Sequence, residues 1–354
     1  YLYDALKPVP QLSFTVRHLN CHIGVMITAS HNPREYNGYK VYGDDGAQVV
    51  APYDGMIIAE VRKITSPAMV RFSGNKGKIE TIGREMDNFY LDAILSLLNF
   101  SPKAISKYGD MKIVYTPLHG TGVHIIPQAL SRMGFTNLQH VPQQDVIDGN
   151  FPTVVSPNPE EPEALKMAMD KARATDARLV MATDPDTDRI GIAVRDQAGG
   201  FVLLNGNQAA SLLTFYLLEK WKETKRLKGK EYIVKTIVTS DLLQVIAGYY
   251  GVECYNVLTG FKYIAEIIRN NEGKKVFICG GEESYGFNVG EYVRDKDAVV
   301  TCVLAAEVAC WAASRGKTMY DLLKELYVRF GFFKERMVSR TLKGKDGMEQ
   351  IRSI

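Results

Sequence analysis

Apolar positions along the chain fall into two alternating kinds of run. Short stretches rich in Val and Ile at 23–28, 112–115, 178–181, 190–194, 232–236 and 276–279 have the length and composition of strands. Between them apolar residues recur at helical spacing. Over 86–98 the residues Met86, Phe89, Tyr90, Ala93, Ile94, Leu97 and Leu98 share one face of a 3.6-residue period, and 207–227, 241–250, 262–271 and 297–315 read the same way. Strands alternating with helices predict an α/β fold. Pro102 after Phe100-Ser101 ends the first helix and marks a linker over 101–110. Further junctions near Leu204-Asn205-Gly206-Asn207 and Phe330-Gly331 leave units of about 100, 100 and 125 residues, each of ordinary domain size.

Composition narrows this picture. At 354 residues with 46% hydrophobic and 23% charged positions, the chain can build a core, which excludes wholesale disorder. Its 43 basic and 40 acidic residues leave a formal charge of +3 with no basic run, so a nucleic acid partner is not expected. The longest apolar stretch, 298–313, contains Thr301 and Glu307 and is too short for a bilayer, so it reads as a buried helix and no membrane partner is expected. Five scattered cysteines without a C-x-x-C pair point to reduced thiols and a cytoplasmic setting. The chain opens at Tyr1 with Leu2 and Leu6 close behind, as if inside an element, so a missing N-terminus is expected. No feature of the sequence sets an oligomeric state.

Candidate chemistry sits where strands end. After the 23–28 run comes Thr28-Ala29-Ser30-His31-Asn32-Pro33, in which Pro33 disfavours helical dihedrals at Asn32 and holds a hydroxyl on a turn. Asn37-Gly38-Tyr39-Lys40 then turns the chain back and supplies a cation ten residues after the serine. Ser30 is a nucleophile or phosphoryl carrier, or else a solvated residue in a capped turn. Between the runs 178–181 and 190–194 lies Thr183-Asp184-Pro185-Asp186-Thr187-Asp188-Arg189. Pro185 keeps Asp184 extended, and alternate residues of an extended run share a face, so three carboxylates converge. Such a cluster is repulsive without a cation, and hard oxygen ligands select Mg²⁺ or Ca²⁺. An EF-hand loop is excluded, because Arg189 stands where its glycine is required and Arg195 where its glutamate is required. Arg189 adds the donor fork that phosphate prefers. Metal, arginine and hydroxyl together describe phosphoryl transfer.

A third segment, Gly280-Gly281-Glu282-Glu283-Ser284-Tyr285-Gly286-Phe287, allows close approach of backbone to a ligand, with Glu282 and Ser284 directed alike toward neighbouring hydroxyls. Arg294-Asp295-Lys296-Asp297 offers a lysine at a helix start with Asp297 as N-cap, and Thr259-Gly260-Phe261-Lys262 offers an anion site before another helix. Thr116-Pro117-Leu118-His119-Gly120-Thr121-Gly122 matches no phosphate-binding fingerprint and reads as a structural turn. His18, Cys21 and His22 lack the further ligands of a zinc site.

Taken together, Thr28-Ala29-Ser30-His31-Asn32-Pro33, Asp184-Pro185-Asp186-Thr187-Asp188-Arg189 and Gly281-Glu282-Glu283-Ser284-Tyr285-Gly286 resemble the phosphoserine, metal and sugar loops of the α-D-phosphohexomutase superfamily. The likeness is to its bacterial phosphoglucomutase/phosphomannomutase type, within it to the phosphoglucomutase branch, and it runs over nearly the whole chain. The resemblance implies three consecutive similar α/β domains with mixed sheets around a cleft: 1–106 with the phosphoserine loop, 107–204 with the metal loop and 205–329 with the sugar loop. Residues 330–354 would open a fourth domain that is largely absent from this chain, together with that domain's phosphate clamp and an arginine motif expected before Tyr1.

It further implies a Mg²⁺-dependent enzyme interconverting glucose 1-phosphate and glucose 6-phosphate, with glucose 1,6-bisphosphate as intermediate and activator and a hexose phosphate as the binding partner. Ser30 would carry the phosphoryl group and, with Asp184, Asp186 and Asp188, hold the metal. Lys40 and Lys296 would serve acid–base and charge-stabilising roles, and His31 would shape the serine loop. Glu282 and Ser284 would hold sugar hydroxyls, while Arg189, Thr259 and Lys262 would contact phosphate. Rival readings are the same chemistry on mannose or pentose phosphates, a metal-dependent phosphatase, and a non-catalytic sugar-phosphate-binding homologue.

Overall fold

The computed structural model describes residues 1–74, 76–99, 102–336, 350–351 and 353. The first hundred residues alternate strand and helix: β1 (Leu2–Tyr3), α1 (Val9–His18), β2 (Ile23–Ile27), β3 (Tyr39–Gly43), α2 (Tyr53–Val61), β4 (Thr81–Ile82) and α3 (Arg84–Leu95). Their described strands form two small pairings, β1 with β4 in parallel and β2 with β3 antiparallel. Alternate side chains of β2 share a face, and Ile23, Val25 and Ile27 on one of them are exposed to solvent.

The next stretch holds α4 (Pro102–Tyr108), β5 (Ile113–Thr116), α5 (Gly122–Met133), β6 (Leu138–His140), α6 (Pro162–Thr175), β7 (Leu179–Thr183), β8 (Ile190–Arg195) and β9 (Phe201–Leu204). It is followed by α7 (Gly206–Glu223), β10 (Glu231–Thr236), α8 (Leu242–Tyr249), β11 (Glu253–Val257), α9 (Phe261–Asn271), β12 (Val276–Gly281), β13 (Phe287–Val289), α10 (Ala298–Ser314) and α11 (Met319–Phe330). The two larger sheets, β6-β5-β7-β8-β9 and β11-β10-β12-β13, share one plan. In each, a central strand has parallel neighbours on both sides and an antiparallel strand beyond one of them. No residue-level repeat announces this likeness, because the plan is carried by the order of apolar runs rather than by identities.

The α/β class with mixed sheets is as expected, and all six predicted strands and five predicted helices are present within a few residues. The expected linker over 101–110 is different. It holds α4, since proline at the first helical position loses no hydrogen bond and presets the dihedral. Of the expected fourth unit, 337–349, 352 and 354 lie outside the described residues.

One apolar cluster runs from Phe14 through both large sheets to Leu326. At its middle lies α10, buried on every side from Ala298 to Ala312, the signature of a core helix. Asp297 caps it as expected, accepting from Val299 N and Val300 N. Among the described residues no single helix is long and apolar enough to cross a membrane. The loops after the carboxyl ends of β7 and β12 carry two of the three motifs, at the edge where open parallel sheets bind ligands.

Candidate active site

Ser30 leaves β2 in a left-handed conformation, φ 54°, which side chains other than glycine seldom adopt. Its neighbours hold it there: Ser30 N donates to Thr28 Oγ1 at 2.9 Å, and Thr28 N donates to Gly38 O. Thr187 in the metal loop (φ 60°) and Tyr285 in the sugar loop (φ 65°) are also left-handed. Each of the three loops thus contains one strained non-glycine residue, a feature that concentrates at functional sites.

The metal loop reaches convergence by a route other than the extended run expected. It folds into a tight turn, with Thr187 N donating to Asp184 O, and Asp188 N and Arg189 N donating to Asp184 Oδ1. Left-handed Thr187 closes that turn and brings oxygens of Asp184, Asp186 and Asp188 within 4.8 Å of one another, all buried. Gly120 backs the loop, since a Cβ there would stand 2.4 Å from Pro185 Cα; Thr121 N and Oγ1 donate to Pro185 O. The 116–122 turn is therefore a buttress, as its sequence suggested.

Segments distant in sequence meet here. Ser30 Oγ donates to Asp184 Oδ2 at 2.9 Å and lies 3.2 Å from His31 Nδ1. Thr28 Oγ1 donates to Asp186 Oδ2 at 3.1 Å. Lys40 Nζ, on β3, stands 2.9 Å from Asp186 Oδ2 and 3.3 Å from Asp188 Oδ2. Lys296 Nζ reaches the same Asp188 oxygen at 3.2 Å. The metal loop also joins the sugar loop, through a bridge between Arg189 and Gly286 and a bond from Ile190 N to Tyr285 O. A Cβ on Gly286 would lie 2.2 Å from Lys296 Cδ, so glycine makes room for that lysine's stem.

The remaining candidates are placed less tightly. Buried Glu282 accepts from Gly260 N at 3.1 Å, which ties the sugar loop to the segment carrying exposed Thr259. Ser284 is half-buried in the turn beside it. Lys262 and Lys40 line one groove of about 570 Å³ with Tyr39, Val41, Ile57 and Ile58. Arg189, expected on phosphate, has its Nη1 on Glu160 Oε1 at 2.8 Å. Sequence reasoning did not single out Glu160 or Asp295. Glu160 sits in a proline-broken stretch without periodicity, and Asp295 was overshadowed by the capping role of Asp297.

The electrostatics are those of acids crowded out of water. Burial, with Asp188 and Asp186 beside it, pushes the Asp184 carboxyl well above the usual carboxylate range. Burial would raise Asp188 too, but Lys296, Lys40 and Arg189 outweigh it and hold that carboxyl below its ordinary value. Burial works against the charge on both lysines, yet Asp188 with Asp186 raises Lys40, and Asp188 with Asp295 raises Lys296, above the ordinary ammonium value. Burial, then Arg189, presses His31 down to about 4, so its ring is neutral near pH 7.

Asp186 Oδ1 and Asp188 Oδ1 are buried with no hydrogen-bond partner among the described residues. Unpaired buried carboxylate oxygens, all hard donors, fit a divalent cation of the Mg²⁺ kind. With a hydroxyl at the triad and two ammoniums across it, the arrangement suits stabilisation of charge on a moving phosphoryl group.

Comparison with known proteins places this geometry. The models described as Phosphoglucomutase/phosphomannomutase, alpha/beta/alpha domain I, domain II and domain III match residues 1–68, 88–199 and 205–330 respectively. A phosphoglucomutase of Staphylococcus haemolyticus (strain JCSC1435) is 37% identical over all of this chain and 64% of its own length. One of Staphylococcus aureus (strain MSSA476) is 38% identical over all of this chain and 63% of its own. The chain thus spans a little under two thirds of the curated relatives it matches. Among solved structures, a putative phosphomannomutase from Thermus thermophilus superposes with a TM-score of 0.77 at 26% identity, covering 93% of this chain and 68% of that one. The open form of the Paramecium phosphoglucomutase pp63/parafusin has the same fold, with a TM-score of 0.68 at 18% identity over 92% of this chain and 61% of that one.

Proposed function

Since the chain belongs to the phosphoglucomutase/phosphomannomutase family, we propose that it is the phosphoserine-, metal- and sugar-loop portion of a phosphoglucomutase that interconverts glucose 1-phosphate and glucose 6-phosphate. The observation that carries this reading is the bond from Ser30 Oγ to Asp184 Oδ2 at 2.9 Å, which sets one hydroxyl against the acidic triad.

In this reading Asp184, Asp186 and Asp188 hold Mg²⁺ together with the Ser30 oxygen. The ion supplies Lewis-acid stabilisation of charge on phosphate oxygens. Ser30 gives its phosphoryl group to the free hydroxyl of the sugar monophosphate and regains one from the other end of the bisphosphorylated sugar. The P–O bond to Ser30 breaks as the bond to the sugar oxygen forms, and the proton of the sugar hydroxyl ends on Ser30 Oγ, to return to the sugar oxygen in the second transfer. Lys40 and Lys296 flank the transfer as fixed cations. Neutral His31, with its proton on Nδ1, donates to Ser30 Oγ and fixes its direction while the Ser30 hydroxyl donates to Asp184. Glu282 and Ser284 grip the sugar hydroxyls, and Thr259, Lys262 and Arg189 take the phosphate that is not being transferred. Glucose 1,6-bisphosphate is then both intermediate and activator, because it charges Ser30. A cytoplasmic site of action accords with the five free cysteines.

The test is turnover by the full-length protein in both directions with Mg²⁺ and catalytic glucose 1,6-bisphosphate. Isomer formation with very little free phosphate is the expected result, and phosphate release without isomer would replace the reading with a phosphatase. Specificity constants for glucose, mannose and pentose phosphates assign the sugar, and the highest is expected for glucose.

A further inference from the structure

Lys296 is gripped from two sides. Its Nζ lies 3.2 Å from Asp188 Oδ2 and 3.4 Å from Asp295 Oδ1, and its backbone N donates to that same Asp295 oxygen at 2.8 Å. Asp295 is itself buried at 1% exposure, and its other oxygen, Oδ2, accepts from Tyr42 OH at 2.7 Å and from Gln48 Nε2 at 2.8 Å. Tyr42 is fully buried on β3, two residues after Lys40. Residues two apart on a strand point to one face, so the strand that brings Lys40 to the triad also brings the hydroxyl that holds Asp295. Gln48 bridges to Tyr42 across the following turn and closes the clamp.

Resting on the function proposed above, we propose that Tyr42, Gln48 and Asp295 are positioning residues for Lys296. β3 thereby sets both ammoniums against Asp188 from one rigid element. The physical need is plain: a four-carbon side chain has many rotamers, and a cation stabilises transferring phosphate only when held in place before the reaction. Two donors on Oδ2 fix the Asp295 carboxylate plane, which turns Oδ1 to the lysine. A Tyr42 present only to fill space would act equally well as phenylalanine.

The experiment uses the full-length protein and the variants Y42F, K296M and Y42F/K296M, with amine-reactive labelling of Lys296 quantified by mass spectrometry. Y42F keeps the ring, so it is expected to fold and to leave KM within about twofold, while kcat falls about tenfold, the effect of one lost charge-oriented hydrogen bond. In the K296M background the same change is expected to lower kcat no further, because its effect acts through the lysine. Lys296 is expected to label faster in Y42F than in wild type, with Lys262 unchanged. An unaltered kcat in Y42F, or equal factors with and without Lys296, would overturn the positioning role. If wild type interconverts no sugar phosphate, the mutase reading fails, and labelling then decides the clamp separately: faster labelling upholds it and equal labelling overturns it.

Discussion

Ser30 Oγ, the Asp184 carboxylate and the left-handed backbone at Ser30 form one small strained unit, and its energetics lead to a prediction about metal. The folded protein raises the Asp184 pKa above its unfolded value, so that group stabilises the fold only at low pH, and the contribution is lost as pH rises. At neutral pH an ionised Asp184 is a burden that a divalent cation relieves. Replacing Asp184 by Asn is therefore expected to leave the melting temperature in EDTA at or above that of wild type. It should also abolish the rise that Mg²⁺ gives wild type by binding only the folded state. Scanning calorimetry of both proteins with and without Mg²⁺ checks this, and a variant that still gains from Mg²⁺ removes Asp184 from the ligand set. Much of this unit was legible in sequence, because its residues crowd into two short loops where acids, serine and proline stand together. The Glu160–Arg189 and Tyr42–Asp295 pairs were not, because each joins residues far apart in sequence and neither partner breaks a local pattern.

Among the elements, α10 has the most at stake at its first turn. Asp297 there accepts from two backbone amides and from the hydroxyls of Tyr90 and Tyr292, wholly buried. Burial pushes its carboxyl from 3.8 to about 6, against the lowering pull of those donors. The folded pKa lies above the unfolded one, so its contribution is full below about pH 4 and is lost as pH climbs to about 6. That span corresponds to about 3 kcal/mol at about 1.4 kcal/mol per pH unit. Asp297→Asn keeps a capping oxygen without the titration. The stability of wild type relative to that variant should thus decline between about pH 4 and 6 and stay level above, as read by urea melts across the range; a constant difference contradicts the assignment. The cap of α11 is local and exposed, and Thr318→Ala there should lose about 1 kcal/mol in the same melts. Helices with strong periodicity or caps, such as α7, α9 and α10, could be read from the chain. The helix α4 could not, since a proline that stops one helix is equally able to start another.

Across the whole molecule, a single apolar cluster joins Phe14 and Tyr90 of the first stretch, the β5-centred sheet and the long helices α7 and α10. Val9 N donates to Asp186 O and Ala298 N to Thr187 O, so the metal loop is pinned from both directions. Such a shared core should unfold as one cooperative unit. Both tryptophans, Trp221 on α7 and Trp311 on α10, lie in the second half of the chain, whereas helix is spread throughout. Coincident urea transitions by tryptophan fluorescence and far-ultraviolet circular dichroism are expected, and separated ones would mean independent blocks. The α/β class was readable from strand–helix alternation, but the common plan of the two large sheets was not, because hydrogen-bonding partners are chosen by three-dimensional packing. The proposed function depends on Ser30 as the group that carries phosphorus beside the acidic triad. Intact-mass and peptide analysis of full-length wild type and Ser30→Ala after incubation with glucose 1,6-bisphosphate and Mg²⁺ tests it most directly. A gain of about 80 Da confined to the Ser30 peptide in wild type and absent from the variant is the predicted result; the same gain in Ser30→Ala, or on another residue of wild type, would contradict it.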